Sequence, residues 1–73
     1  MFDILFSYTD PNLNFMCKDI ESVGQSNSDW HEYSGDELLK HRFSIHKDFH
    51  LYGKTSTYIV SSNNLVGVEI RKI

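Results

Sequence analysis

The chain has 73 residues, a formal net charge of −3 and a 40% hydrophobic content that includes five Phe, four Tyr and one Trp. That length holds one small domain, residues 1–73, and excludes a separate catalytic domain, while the apolar fraction excludes a charge-dominated disordered chain. The single cysteine, Cys17, leaves no internal disulfide, and with no signal-peptide pattern and no long apolar run the expected setting is the reducing cytoplasm, away from membranes.

Charge is unevenly divided along the chain. Met1 to Glu37 carries eight acids against Lys18, a balance of −7, whereas Leu38 to Ile73 carries six bases against Asp48 and Glu69, a balance of +4. Such a division can steer partners of opposite sign to different parts of one molecule, or can be neutralised by folding the halves together.

In chain order, Phe2, Ile4, Phe6 and Tyr8 alternate with Asp3, Leu5 and Ser7, the beat of a strand. Thr9, Asp10, Pro11 and Asn12 then supply a reversal: proline presets φ, and Asp and Asn bond locally to the backbone. A four-residue loop there pairs Tyr8 with Leu13, Phe6 with Phe15 and Ile4 with Cys17, placing Cys17 in the core. From Glu21 to Ser34 the periodicity is lost, and Gly24 to Asp29 (GQSNSD) is polar throughout, which reads as a long acidic loop carrying Trp30 and Tyr33. Ser34, Gly35, Asp36 and Glu37 ahead of Leu38 and Leu39 fit a capping box, so a short helix is expected to begin there.

The stretch Arg42 to Tyr52 then places Phe43, Ile45, Phe49 and Leu51 at odd positions and Arg42, Ser44, His46, Asp48, His50 and Tyr52 at even ones. A continuation of the helix would set Arg42, His46 and His50 in the apolar arc, so a strand with one greasy and one wet face is the better reading. Gly53 and Lys54 suit a two-residue hairpin turn, setting Phe49 opposite Tyr58 and Leu51 opposite Ser56. A three-residue loop at Ser62 to Asn64, with Asn64 left-handed, would pair Val60 with Val66, Tyr58 with Val68 and Ser56 with Ile70. The expected fold is α+β: an antiparallel sheet of about five strands, two hairpins forming a meander, with one short helix after the long acidic loop.

Four chemistries compete for the polar residues. His46 and His50 are spaced H-x3-H, but in a strand they stand about 13 Å apart at ~3.3 Å per residue, too far to share one zinc. No metal or other cofactor is expected. The same histidines could serve as acid and base on a phosphodiester, with Arg42, Lys47 or Tyr52 stabilising charge. Arg42, His46, His50, Tyr52 and Lys54, with Arg71 and Lys72, could instead bind nucleic acid, although the net acidic composition argues against a polyanionic partner. Finally, Asp19, Glu21, Asp29, Glu32, Asp36 and Glu37 surround Trp30 and Tyr33 without an intervening Lys or Arg, a composition suited to docking on a basic protein surface. The bland counterpart is that Asp29, Asp36 and Glu37 merely favour the helix start and Trp30 folds back as a core lid.

The function expected from this balance is non-enzymatic protein binding, taking the form of an inhibitor that presents carboxylates to a nuclease or other nucleic-acid-acting enzyme. The analogy is of size and charge with immunity proteins and with inhibitors encoded by phages and mobile elements. The alternative is a small RNA-binding module or metal-independent nuclease using the Arg42 to Tyr52 face. An edge strand such as Leu65 to Ile73 could also pair with its copy to make a homodimer.

Overall fold

The computed structural model describes residues 1–26 and 29–73. Asn27 and Ser28, within the segment read as a loop, lie outside the described residues. Six strands form one antiparallel sheet: β1 (Phe2–Tyr8), β2 (Phe15–Ser26), β3 (Trp30–Ser34), β4 (Phe49–Gly53), β5 (Thr57–Val60) and β6 (Leu65–Lys72). A single helical turn, α1 (Glu37–Lys40), follows β3, and a 3-10 turn, Pro11–Leu13, joins β1 to β2. The order across the sheet is β5-β4-β2-β1-β6, with β3 added beside β2.

The opening hairpin has the expected pairs Ile4 with Cys17 and Phe6 with Phe15. Alternation on β1 buries Phe2, Ile4 and Phe6, and Cys17 is buried against them. Tyr8 does not meet Leu13, because the 3-10 turn intervenes; the Asp10 carboxylate accepts from the Asn12 amide at 3.0 Å, and Asn14 Oδ1 accepts from the Tyr8 amide at 2.7 Å.

The long loop expected over Glu21 to Ser34 is instead the second half of β2 and all of β3. Ser22 to Ser26 pair with Ser34 to Trp30 in strict register. The alternation is present but disguised, because the inward positions are Val23 and a glutamine, Gln25, and the outward ones are small and polar. Strand β2 serves β1 along its first half and β3 along its second on the same edge, with β4 on the other. Extra residues on β2 at Asp19, where φ is +57°, and at Glu21 shift the register and bend the strand.

The capping box is not formed. Ser34 closes β3, Asp36 precedes the helix without a side-chain cap, and α1 is held by turn bonds such as His41 N–H to Glu37 O at 2.8 Å. One side chain, Leu38, anchors α1 in the core, against β3 and β6.

Of the expected Arg42 to Tyr52 strand only Phe49 to Tyr52 is a strand, and β4 runs on to Gly53. The cause is Gln25, which is 2% exposed. Its amide Nε2 donates to Ser44 O at 2.7 Å and Lys47 O at 3.3 Å, and its Oε1 accepts the Ser44 amide at 3.1 Å. These bonds satisfy backbone groups that a sheet neighbour would otherwise engage, so residues 42–48 cross the end of the core as an irregular segment. Phe43 and Ile45 still pack on the core from that segment, half-buried.

The turn after β4 has two residues, as expected, but they are Lys54 and Thr55 rather than Gly53 and Lys54, closed by Gly53 N–H to Ser56 O at 2.8 Å, so the register moves by two: Phe49 faces Val60 and Leu51 faces Tyr58. A shift of two keeps every side chain on its expected face. Strand β6 departs more from expectation. It does not continue a meander on β5 but pairs with β1 from Phe2–Lys72 to Tyr8–Leu65. A register shift at Ser7/Tyr8 turns Leu65 inward and leaves Val66 exposed. Asn64 is left-handed as expected, at φ +60°.

This topology makes the sheet curl. Strands β5 and β6 stand at opposite ends of the order, a span of about 19 Å in a flat sheet at ~4.8 Å per strand. The connection Ser61 to Asn64 contains a turn closed by Leu65 N–H to Ser62 O at 3.1 Å and cannot reach so far. The two edges therefore approach one another there, helped by Thr9 N–H to Asn64 O at 3.0 Å. Phe6 and Phe49 meet edge to face inside the curl with centroids 5.4 Å apart.

Candidate partner-binding face

The convex side of the β3-β2-β4-β5 region carries Ile59, the most exposed apolar side chain on a strand among the described residues, together with the exposed Trp30. Because Val23 and Gln25 point inward, Gly24 points outward, and its pairs on either side are Glu32 of β3 and His50 of β4. Trp30 lies across this glycine. A Cβ at position 24 would fall 2.3 Å from a Trp30 ring carbon, so only glycine lets the indole rest on the strand. His50 meets the indole edge to face at 4.8 Å and 89°, and the indole N–H donates to Glu32 Oε2 at 3.3 Å. The ring is thus held on three sides yet remains 42% exposed. It is not a core lid. Ile59, directly opposite His50 in register and 69% exposed, continues the row.

The remaining expected partner-binding residues are spread out. Asp29 sits immediately before Trp30 and is exposed, whereas Asp36 lies beyond the far end of β3, roughly 16 Å of strand away at ~3.3 Å per residue. Asp36 takes Lys72 Nζ at 3.3 Å, and Glu37 opens α1. Asp19 and Glu21 occupy the two bulges of β2, with the Asp19 amide held by the Asp3 carboxylate at 3.3 Å. Tyr33 faces the other way from Trp30, stacked on His41 at 3.7 Å with Phe43 edge-on at 5.4 Å. The structure thus gathers Asp29, Trp30 and Glu32, and separates them from Asp19, Glu21, Tyr33, Asp36 and Glu37.

The basic set divides as well. Arg42 and Lys54 are exposed on opposite sides of β4 in the chain, one in the irregular segment and one in the β4–β5 turn. His50 and Tyr52 share the outward face of β4 with Thr57 and Ile59 of β5. His46 and His50 line one shallow cleft of about 390 Å³ with Asp48 and Ser62. The Asp48 carboxylate there accepts the Ser62 amide at 2.9 Å. Among the described residues no group of three or more His, Cys, Asp or Glu side chains is arranged to hold a metal ion.

Titration is perturbed away from this face. Burial pushes the Cys17 thiol above its ordinary value, and burial followed by the neighbouring Cys17 raises Tyr8. On β6 the hydrogen bond from Arg71 holds Glu69 below the usual carboxylate range and raises Arg71 in turn. Ile59 was not singled out from the sequence, although its place opposite the wet positions of β4 was a usable signal. No helix is long and apolar enough to cross a membrane among the described residues. A scan against protein-family models and searches of curated proteins and of solved structures match nothing to this chain.

Proposed function

We propose that the chain is a non-enzymatic binding module that docks on a protein partner with a basic surface, with the Trp30-centred convex face as its contact and inhibition of a nucleic-acid-acting enzyme as the outcome. The observation that carries this reading is the fixed yet exposed indole. A large aromatic held in place before binding loses little conformational freedom on contact, and such residues dominate interface energetics. Asp29 and Glu32 beside it favour a cationic partner, and the outward positions of Gly24, Trp30, Glu32, His50, Tyr52, Thr57 and Ile59 include no Lys or Arg.

The test is binding to a panel of basic ribonucleases and deoxyribonucleases, measured as association and dissociation rates with parallel activity assays. Trp30→Ala should weaken a captured partner by about 2 kcal/mol or more, and Glu32→Lys with Asp29→Lys should slow association, most strongly at low salt. Unchanged affinity in Trp30→Ala would remove the proposal. The second reading, a small RNA-binding module or metal-independent nuclease, draws on the shared cleft of His46 and His50. It requires RNA cleavage or retention that is lost in His46→Ala and His50→Ala.

A further inference from the structure

Among the described residues, strand β2 has a stretch with one neighbour. Strand β1 covers one edge of Phe15 to Ile20, but on the other edge β4 joins only at Ile20, through Gly53. Apart from the Asp19 N–H, which the Asp3 carboxylate holds, Phe15 to Asp19 therefore presents alternate backbone groups to a groove of about 900 Å³ between this edge and the β4–β5 turn. The groove closes where a Cβ on Gly53 would stand 3.2 Å from Asp19 O. Its apolar walls are Phe15, Met16 and Tyr58, all partly exposed, and Lys18 and Lys54 stand on either side. Neither lysine is in an ion pair among the described residues; Asp19 is the single carboxylate in the lining.

We infer that this groove takes an extended segment of a partner protein as an added antiparallel or parallel strand beside Phe15 to Asp19, with apolar and acidic side chains in alternation. The pleat sets that alternation. Phe15 lies with the inward-facing Phe6, and Tyr58 with the inward-facing Leu51, whereas Lys18 follows Cys17 onto the opposite face. A strand laid alongside would meet rings on one face and an ammonium group on the other. A second copy of this edge would bring one carboxylate, Asp19, together with its own Lys18, and so matches the two lysines of the groove less well than an acidic strand. This site is separate from the Trp30 face, and its failure would leave that reading intact.

The probe is a fluorophore-labelled, end-blocked Val-Glu-Val-Glu-Val pentapeptide, titrated by anisotropy at low salt and followed by amide chemical shifts. Saturable binding below about 1 mM is expected, with the largest shifts at Phe15 to Asp19. Lys18→Glu with Lys54→Glu, both at exposed positions, should weaken it about tenfold or more. Methylation of alternate peptide amides, which keeps charge and shape but removes strand pairing, should abolish it. No binding below about 1 mM would overturn the inference, as would equal binding of the methylated peptide or an unaffected double variant. Shifts at Phe15 to Asp19 from octanoate without any from the peptide would assign the groove to small amphipathic anions and overturn it too.

Discussion

Replacing Gln25 by leucine tests the account of why residues 42–48 are not a strand. The two side chains are close in volume, so the change removes three hydrogen bonds, to Ser44 N, Ser44 O and Lys47 O, and opens little space. At about 1 kcal/mol net for each bond, with a further penalty for backbone groups left dry, the loss should be about 3–5 kcal/mol. For a domain of this size 3 kcal/mol corresponds to roughly 12–24 °C in Tm. Urea denaturation should give that loss, and hydrogen exchange should show the Ser44 amide losing protection ahead of the β4 amides. Gln25→Glu refines the test. It keeps the acceptor for Ser44 N–H but aims a carboxylate at two carbonyl oxygens, so its folded pKa must rise above the unfolded value of about 4.3. The sign follows from proton linkage: the variant is least impaired below the unfolded pKa and loses stability as pH climbs through the folded one. A loss under about 0.5 kcal/mol in Gln25→Leu, or an unchanged Ser44 exchange rate, would refute the reasoning.

Gly24→Val should drive the indole off the sheet, costing about 1–3 kcal/mol and red-shifting the emission of Trp30, the chain's single tryptophan; an unshifted spectrum would contradict the packing described. Asp19→Gly, at φ +57°, should preserve or raise stability in urea, whereas Asp19→Val should lower it. With folded pKa values raised for Cys17 from 9.0 and Tyr8 from 10.0, their contribution is whole at neutral pH and lost as pH rises beyond about 9. Cys17→Ala should flatten the first part of that alkaline decline, read from denaturation midpoints between pH 8 and 10. Native Cys17 should also react with thiol reagents far more slowly than the unfolded chain.

The strands whose alternation is written in apolar residues were legible before any coordinates: β1, the first half of β2, β4 and β5. Phe6 against Phe15 and Ile4 against Cys17 followed from one loop length, and the inward set Phe49, Leu51 and Val60 survived a register error because that error was even. The second half of β2, and with it the partner strand β3, was hidden for a specific reason. The signal of a strand is contrast between faces, and Val23-Gly24-Gln25 has none when its inward polar residue is satisfied by backbone 19 residues away. The fate of β6 was hidden for another. Local sequence sets which face a strand buries, but not which neighbour it chooses, and Val60 with Val66 looked as suitable as Phe6 with Val68. At the candidate site, Asp29, Trp30 and Glu32 were named from the sequence within a larger acidic and aromatic set, while the support of Trp30 by Gly24 and His50 depends on the missed hairpin.

The pairing of Phe2 with Lys72 has a consequence for biosynthesis. A ribosome releases β1 before its outer neighbour β6, so nascent β1 must hold one bare edge until β6 emerges. Closure by β6 can come only after Leu65–Lys72 has left the exit tunnel, and any chaperone or aggregation hazard during manufacture should concentrate on that waiting strand.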